Sequence, residues 1–305
     1  MAVNMSQVKD LLLPGLRAVT GEYRQIETEY TNVFEISKSN MEVERTVSMQ
    51  FLAYAQLKNE GGSTTFDNTP GQRYVYNQSH NEIGLGYAVT RKMIDDNLYK
   101  SQFRPSNLGL QRSFNQTKEN YGAAVFNLGT TFNQAVGGDG QALFSPNHPL
   151  GNGQLVANRP TTDLDLAESS LLGAMIAIRT TWLDNAGLKM YARAKQLLIP
   201  PALEPVAIRL TRSELRPGTA NNDVNAILST SGGLKNGYTI NDYLTSPFAW
   251  FIITETPGLI YMERIPFETD MQVDFTTDNL LVKGYERYSF GYYDWRNVYG
   301  NFPTS

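Results

Sequence analysis

Turn chemistry fills the stretch Asn59-Glu60-Gly61-Gly62-Ser63-Thr64-Thr65-Phe66-Asp67-Asn68-Thr69-Pro70-Gly71, and it divides two strand-like runs, Val47 to Leu57 and Arg73 to Val89. Gly supplies backbone angles that other residues avoid, Pro presets one, and Asn and Asp bond their own backbone, so such a stretch reverses the chain. In the second run Tyr74, Val75, Tyr76, Ile83, Leu85, Tyr87 and Val89 alternate in part, which fits a long two-stranded extension. A hairpin of that length is marginal in water by itself. It has to lie on something, and the rest of a monomer offers it little.

The remainder of the chain reads as α+β. Residues 1–46 mix short helical and extended signals, with apolar positions at Tyr30, Val33, Phe34 and Ile36, and read as an arm. After Pro105 and Ser106, taken as an N-cap, residues Leu110, Phe114, Tyr121, Val125, Leu128, Phe132 and Ala135 recur at intervals of 4, 7, 4, 3, 4 and 3. A helix over 107–136 would be about 45 Å long at ~1.5 Å per residue. Gly122 and Gly129 would share one of its faces, where each costs ~1 kcal/mol relative to Ala unless another backbone or subunit passes close. A Gly-, Pro- and Asn-rich loop runs from Gly137 to Gly153. A second helix follows, with Asp165 and Glu168 as its capping pair and Leu171, Met175, Ile178 and Trp182 buried, up to a stop at Asn185-Ala186-Gly187. Leu197-Leu198-Ile199 reads as a strand, Pro201 to Arg212 as a helix with Leu203, Val206, Ala207 and Leu210 inward. Trp250 to Ile253, Leu259 to Met262 and Leu280 to Tyr293 read as further strands. Strands and helices do not alternate regularly, so a doubly wound sheet is excluded.

Composition removes whole classes of function. Charged residues are 18% of the chain, below the roughly 25% of ordinary soluble domains, so Asn, Gln, Ser and Thr carry much of the surface. The net charge of −4 and the lack of any Lys/Arg run disfavour specific DNA reading. With no cysteine, disulfides, thiolate metal sites and cysteine nucleophiles are excluded. His80 and His148 are the only histidines, are expected in loops or on the surface, and belong to no metal motif. Gly84-Leu85-Gly86 lacks the third glycine of a dinucleotide fingerprint, and Ser145, Ser213 and Ser289 lack a nucleophile elbow. Asp95-Asp96 and Asp163-Leu164-Asp165 lack the spacing of a calcium loop. No catalytic, cofactor or metal residue is therefore assigned. Met1 to Ser6 is polar and Leu11 to Leu13 is too short for a signal core, so the chain is expected in the cytoplasm with no membrane partner.

Tyr30-Thr31-Asn32-Val33-Phe34-Glu35, Glu60-Gly61-Gly62, Val89-Thr90-Arg91-Lys92-Met93-Ile94-Asp95-Asp96-Asn97-Leu98-Tyr99 and Ala142-Leu143-Phe144-Ser145-Pro146-Asn147-His148-Pro149 occur in that order. Leu197-Leu198-Ile199-Pro200-Pro201-Ala202-Leu203-Glu204, Trp250-Phe251-Ile252 and Gly291-Tyr292-Tyr293-Asp294-Trp295-Arg296-Asn297-Val298-Tyr299-Gly300 continue the series. Together they resemble the major capsid proteins of tailed bacteriophages, the Hong Kong 97 fold. That resemblance implies an N-terminal arm over 1–46, an extended E-loop over 47–90, and a peripheral P-domain over 91–189 with its spine helix at 106–136. It further implies an axial A-domain over 190–279 and a return strand to the P-domain over 280–305.

By the same resemblance, the chain is expected to form hexamers and pentamers of an icosahedral shell around double-stranded DNA, contacted without sequence preference. Portal, scaffold or decoration proteins are the other expected partners. Synthesis and assembly would take place in the bacterial cytoplasm, and the virion capsid is the destination. Phe66, Tyr74 and Tyr76 are the extension residues expected to be buried against an adjacent subunit. Some relatives carry a long cleaved scaffolding segment, whereas about 46 residues precede the E-loop here, so none is expected. Others form a lysine–asparagine cross-link, but no motif supplies partners for Lys58, which is expected as a solvated side chain. The rival readings are a tail or decoration protein and a carboxylate-dependent hydrolase, the latter requiring acids that converge in a pocket.

Overall fold

The computed structural model describes residues 28–67, 70–96, 99–213, 225–229 and 233–304. The strands, in chain order, are β1 (Glu35–Lys38), β2 (Val43–Gln50), β3 (Gly71–Ser79), β4 (Asn81–Val89), β5 (His148–Pro149) and β6 (Leu155–Val156). They continue as β7 (Ala194–Ile199), β8 (Tyr238–Ile240), β9 (Trp250–Thr254), β10 (Leu259–Val273), β11 (Leu280–Tyr292) and β12 (Val298–Asn301). The helices are α1 (Arg91–Asp95), α2 (Tyr99–Asn127), α3 (Glu168–Thr181), α4 (Glu204–Arg212) and α5 (Ala226–Ser229). A large sheet has the order β1-β10-β11-β4, with β1 parallel to β10 and the other pairs antiparallel. A smaller sheet has the order β12-β9-β7-β8, and β2 with β3 forms a separate ribbon.

The long helix lies along the large sheet because one face of β11 is built to receive it. Leu280, Val282, Gly284, Glu286 and Tyr288 alternate inward, while Leu281 and Lys283 face out. Against that face α2 sets Phe103, Leu110 and Phe114, while Phe126 near its end packs on Phe34, Phe144 and Phe251 of the main core. Phe114 meets Phe267 edge-on at 4.9 Å, and Gly284 leaves room for both rings. The helix starts earlier and stops sooner than the 107–136 and 106–136 expectations. Pro105 is inside it, not before it. The turn ahead of Pro105 holds despite the lost backbone bond because Phe103 packs with Val89, Ile94, Met271 and Leu280 at the far end of the sheet. At the other end Asn127 closes the helix, its amide donating to the Tyr243 carbonyl and its oxygen accepting from the Thr245 amide. Leu128 and Phe132, expected inward, are therefore beyond the helix and exposed.

The two glycines of this segment prove unlike. Gly122 faces the ring of Phe290 on β11 and Cβ of Tyr30 from the arm, at 3.3 and 3.4 Å from where a side chain would start. Gly129 sits after the helix with the Phe144 ring 2.5 Å from the same point and the Val125 carbonyl at 2.8 Å. Both approaches come from within the chain itself. Gly129→Ala should therefore cost about 1–3 kcal/mol by overpacking. Gly122→Ala should be near neutral, since a helical gain of ~1 kcal/mol offsets a small shift of a half-exposed ring. Thermal denaturation of the two variants checks this, and equal melting temperatures would contradict it.

The main core joins both sheets. Trp250 to Ile253 of β9 and Leu197 to Ile199 of β7 are wholly buried beside Leu171, Met175 and Ile178 of α3 and Trp182 just after it, and Ala207 of α4 closes one side. The stripe expected for α3 is the one it buries. Its cap is not: Ala167 is the N-cap residue, and the Ser170 hydroxyl accepts from the Ala167 amide and donates to the Asp165 carbonyl. The domain boundary expected at 279/280 cuts the hairpin of β10 and β11, whose register runs from Leu259↔Tyr292 to Val273↔Leu280. Residues Leu259–Val273 thus belong to the large sheet with β11, not to the small sheet. β12 then leaves for the small sheet, where it pairs with β9.

Both histidines are buried, contrary to expectation. His148 stacks on Trp295 at 4.2 Å, with Nδ1 2.6 Å from Asp139 and Nε2 3.1 Å from Asn158. Asn158, fully buried, also donates to the carbonyls of Leu143, Trp295 and Val298, so this cluster ties the 137–158 loop to the C-terminal segment. His80 is 7% exposed.

Candidate assembly surfaces

The extension is shorter than its two sequence runs and better supported. β2 pairs with β3 from Val43↔Ser79 to Gln50↔Gly71. The first run thus begins at 43, within the expected arm, and ends as a strand at Gln50. The second run splits at His80, because β4 beyond it pairs with β11 in the large sheet. The ribbon also lies on its own chain. The Tyr74 hydroxyl donates to the Pro149 carbonyl at 2.7 Å, and the Asn185 amide donates to Ser48 Oγ at 2.7 Å and to the Met49 carbonyl at 3.1 Å.

This placement separates the three residues expected to contact a neighbour. Tyr76 is 4% exposed, edge-on to Tyr292 at 5.9 Å and against Gly138, whose φ of +82° needs no Cβ there. Its ring is spent inside its own subunit and is corrected from contact to core residue. Tyr74 is half-buried on the same support. Phe66 stands at 83% exposure. Phe51, Leu52, Tyr54 and Leu57, which the run from Val47 to Leu57 predicts to be strand residues, are exposed beside it in the loop that caps the ribbon. Exposed apolar side chains this dense mark a contact surface. Lys58, in the same loop, is exposed as expected.

Other apolar side chains are exposed among the described residues. Phe275 is 97% exposed at the turn between β10 and β11, where Asp274 accepts from the Thr276 amide and from both threonine hydroxyls. A groove of about 430 Å³ runs beside the end of α2, lined by Tyr121, Val125, Leu128, Phe132, Phe290 and Tyr292. Chemistry has no comparable focus. Among the described residues no three His, Asp or Glu side chains gather as metal ligands. Asp163 is taken by Arg159 and the Phe302 amide, and Asp95 faces Arg91 at 3.9 Å. No helix among the described residues is long and apolar enough to cross a membrane.

The family model for phage capsid proteins matches residues 80–301, which hold α2, the small sheet, three of the four strands of the large sheet and most of the main core. The chain belongs to the phage capsid protein family. It is a shell protein of the virion capsid, structural and not catalytic. Solved structures agree on the fold at low identity. The capsid of a native GTA particle superposes with a TM-score of 0.57 at 9% identity over 92% of each chain. Microbacterium phage Oxtober96 gives 0.52 at 10% identity, again over 92% of each. The SrpI encapsulin of Synechococcus elongatus gives 0.51 at 11% identity, over 91% of this capsid protein and 88% of the encapsulin. No curated protein matches by sequence. The arrangement is the Hong Kong 97 type of capsid fold, with a long helix on a large sheet, a second mixed sheet and an extended ribbon.

Proposed function

We propose that this capsid protein assembles as hexamers and pentamers of a closed icosahedral shell around packaged double-stranded DNA. The observation that carries the reading is the loop over 51–67, where Phe51, Leu52, Tyr54, Leu57 and Phe66 are exposed at the end of a ribbon whose base is already satisfied. An isolated chain gains nothing from such a loop, and a repeating neighbour does. In this reading the ribbon and its loop are the E-loop, α2 with the large sheet is the P-domain, and the small sheet is the A-domain. Phe66 and its neighbours in the loop are the intersubunit contact, with Tyr74 at its margin. DNA inside is contacted without sequence preference, as fits a net charge of −4. A portal and scaffold or decoration proteins complete the particle, which is built in the cytoplasm of a bacterial host.

Electron microscopy of the purified full-length chain, alone and with candidate scaffold supplied, tests this. Closed shells with fivefold and sixfold clusters are expected. A monodisperse monomer under every condition, or open tubes alone, would overturn the reading.

A further inference from the structure

Both strands of the extension leave the large sheet at one buried point. Ser39 follows β1 and precedes β2, and its amide continues the β1 ladder by donating to the Glu263 carbonyl at 2.9 Å. His80 is the single residue between β3 and β4. The imidazole joins them: Nε2 lies 2.8 Å from Ser39 Oγ, and Nδ1 lies 3.0 Å from Ser289 Oγ on β11. All three residues are buried.

The contacts assign the protons. Ser39 Oγ accepts from the Met41 amide at 3.2 Å and lies 2.6 Å from a Glu44 carboxylate oxygen, which can only accept. The Ser39 hydroxyl therefore donates to Glu44 and accepts from Nε2–H. Nδ1 is then the bare nitrogen, and Ser289 donates to it. A second ring proton turns Nδ1 from acceptor to donor, so the Ser289 hydroxyl must rotate to accept, and it places a cation in a buried site near Arg264 and Arg287. The charged groups around the ring are Glu44 on β2, Arg264 on β10 and Arg287 on β11, the last 3.9 Å from Glu82 of β4. Burial, most of all, and then Arg287 hold the ring neutral to lower pH than usual, with Arg264 adding and Glu44 opposing.

We propose that Ser39, His80 and Ser289 form an acid-sensitive hinge: the neutral imidazole clamps the root of the β2–β3 ribbon to the large sheet, and the imidazolium loosens it. The direction follows from linkage. An opened root exposes His80, which then titrates near 6.5, whereas the clamped ring titrates lower. The clamp is therefore at full strength above 6.5. Below it, the ratio of clamped to open forms falls by up to about tenfold per pH unit until the clamped ring itself protonates.

Hydrogen exchange of the full-length chain, in the assembly state in which it purifies and normalised to unstructured-peptide rates at each pH, reads this out. Protection of residues 43–50 and 71–79 should fall by up to about tenfold per unit between about pH 6.5 and 5, while β9 keeps its protection. His80→Gln keeps a donor toward Ser39 and cannot titrate, so its ribbon should lose that pH dependence. Ser289→Ala removes the hydroxyl bonded to Nδ1 and leaves the titrating ring, so ribbon protection should drop at every pH while the acid response still begins near 6.5, where the open ring titrates. Should His80→Gln not fold, Ser289→Ala decides alone. Unchanged ribbon protection across the range, the same acid response in His80→Gln, or undiminished ribbon protection in Ser289→Ala would overturn the hinge.

Discussion

Lys118→Met lowers the stability of the subunit by about 3–5 kcal/mol, the cost of leaving a buried charge without its partner. Lys118 Nζ lies 2.7 Å from Glu286 Oε2 between α2 and β11, with side-chain exposures of 7% and 1%. The ammonium also sits 5.1 Å from the centre of the Tyr288 ring and 5.9 Å from that of Tyr261. Burial pushes the Glu286 carboxyl above the ordinary range, and Lys118 pulls it back. With the ammonium gone, burial and the nearby Glu263 remain, both raising, and the carboxyl rises further. A carboxyl raised in the folded state is tolerated when protonated and costs most when ionised, so the deficit of the variant should shrink as pH falls. The double variant Lys118→Met with Glu286→Met removes both charges and should regain most of the loss. Denaturant unfolding of the three chains at neutral and mildly acidic pH is the check. A single variant within 1 kcal/mol of the parent would refute this account of the pair, as would a double variant no better than the single.

Deletion of Glu60 to Gly71 should leave each subunit folded while greatly weakening the shell. The deleted segment carries exposed Phe66, and removing it forfeits only the Gln50↔Gly71 rung of the ribbon. What holds the ribbon to its own chain stays: Tyr76 on Tyr292, Tyr74 on Pro149, and Asn185 on Ser48. An interaction between subunits, by contrast, is removed at every copy of a closed lattice, so its effect multiplies. Circular dichroism of the unassembled chain and sedimentation of assembled material separate the two effects. Equal assembly with unchanged shell stability, or outright unfolding of the monomer, would refute the role given to the loop.

Much of the architecture was legible because apolar periodicity and turn chemistry are local. The strands at Trp250, Leu259 and Leu280 and the buried stripe of α3 lie where their side-chain patterns put them. The long helix shows where that reading stops. Its buried face includes Asn107, Gln111, Lys118 and Glu119. Periodicity counts such residues as solvent-facing and shifts the stripe to Tyr121, Leu128 and Phe132. Lys118 is buried because Glu286 is opposite. Glu119 is buried because its two oxygens accept the Glu29 and Tyr30 amides, which docks the arm. These partners are distant in sequence, and no local pattern announces them. Which aromatics of the ribbon stay exposed was hidden for the same reason: Tyr76 and Phe66 are both aromatics near a turn, and only the packing of Gly138 and Tyr292 sends one inside.

The sequence by itself determined an α+β chain with a glycine-tipped ribbon and one long helix, since local spacing suffices for each. Tertiary structure alone decided where the run from Arg73 to Val89 divides. His80 cannot be told from a surface histidine by its neighbours in the chain. Ser39 and Ser289, brought from either side by β1 and β11, satisfy both ring nitrogens, and that burial is what assigns one half of the run to the ribbon and the other to the sheet.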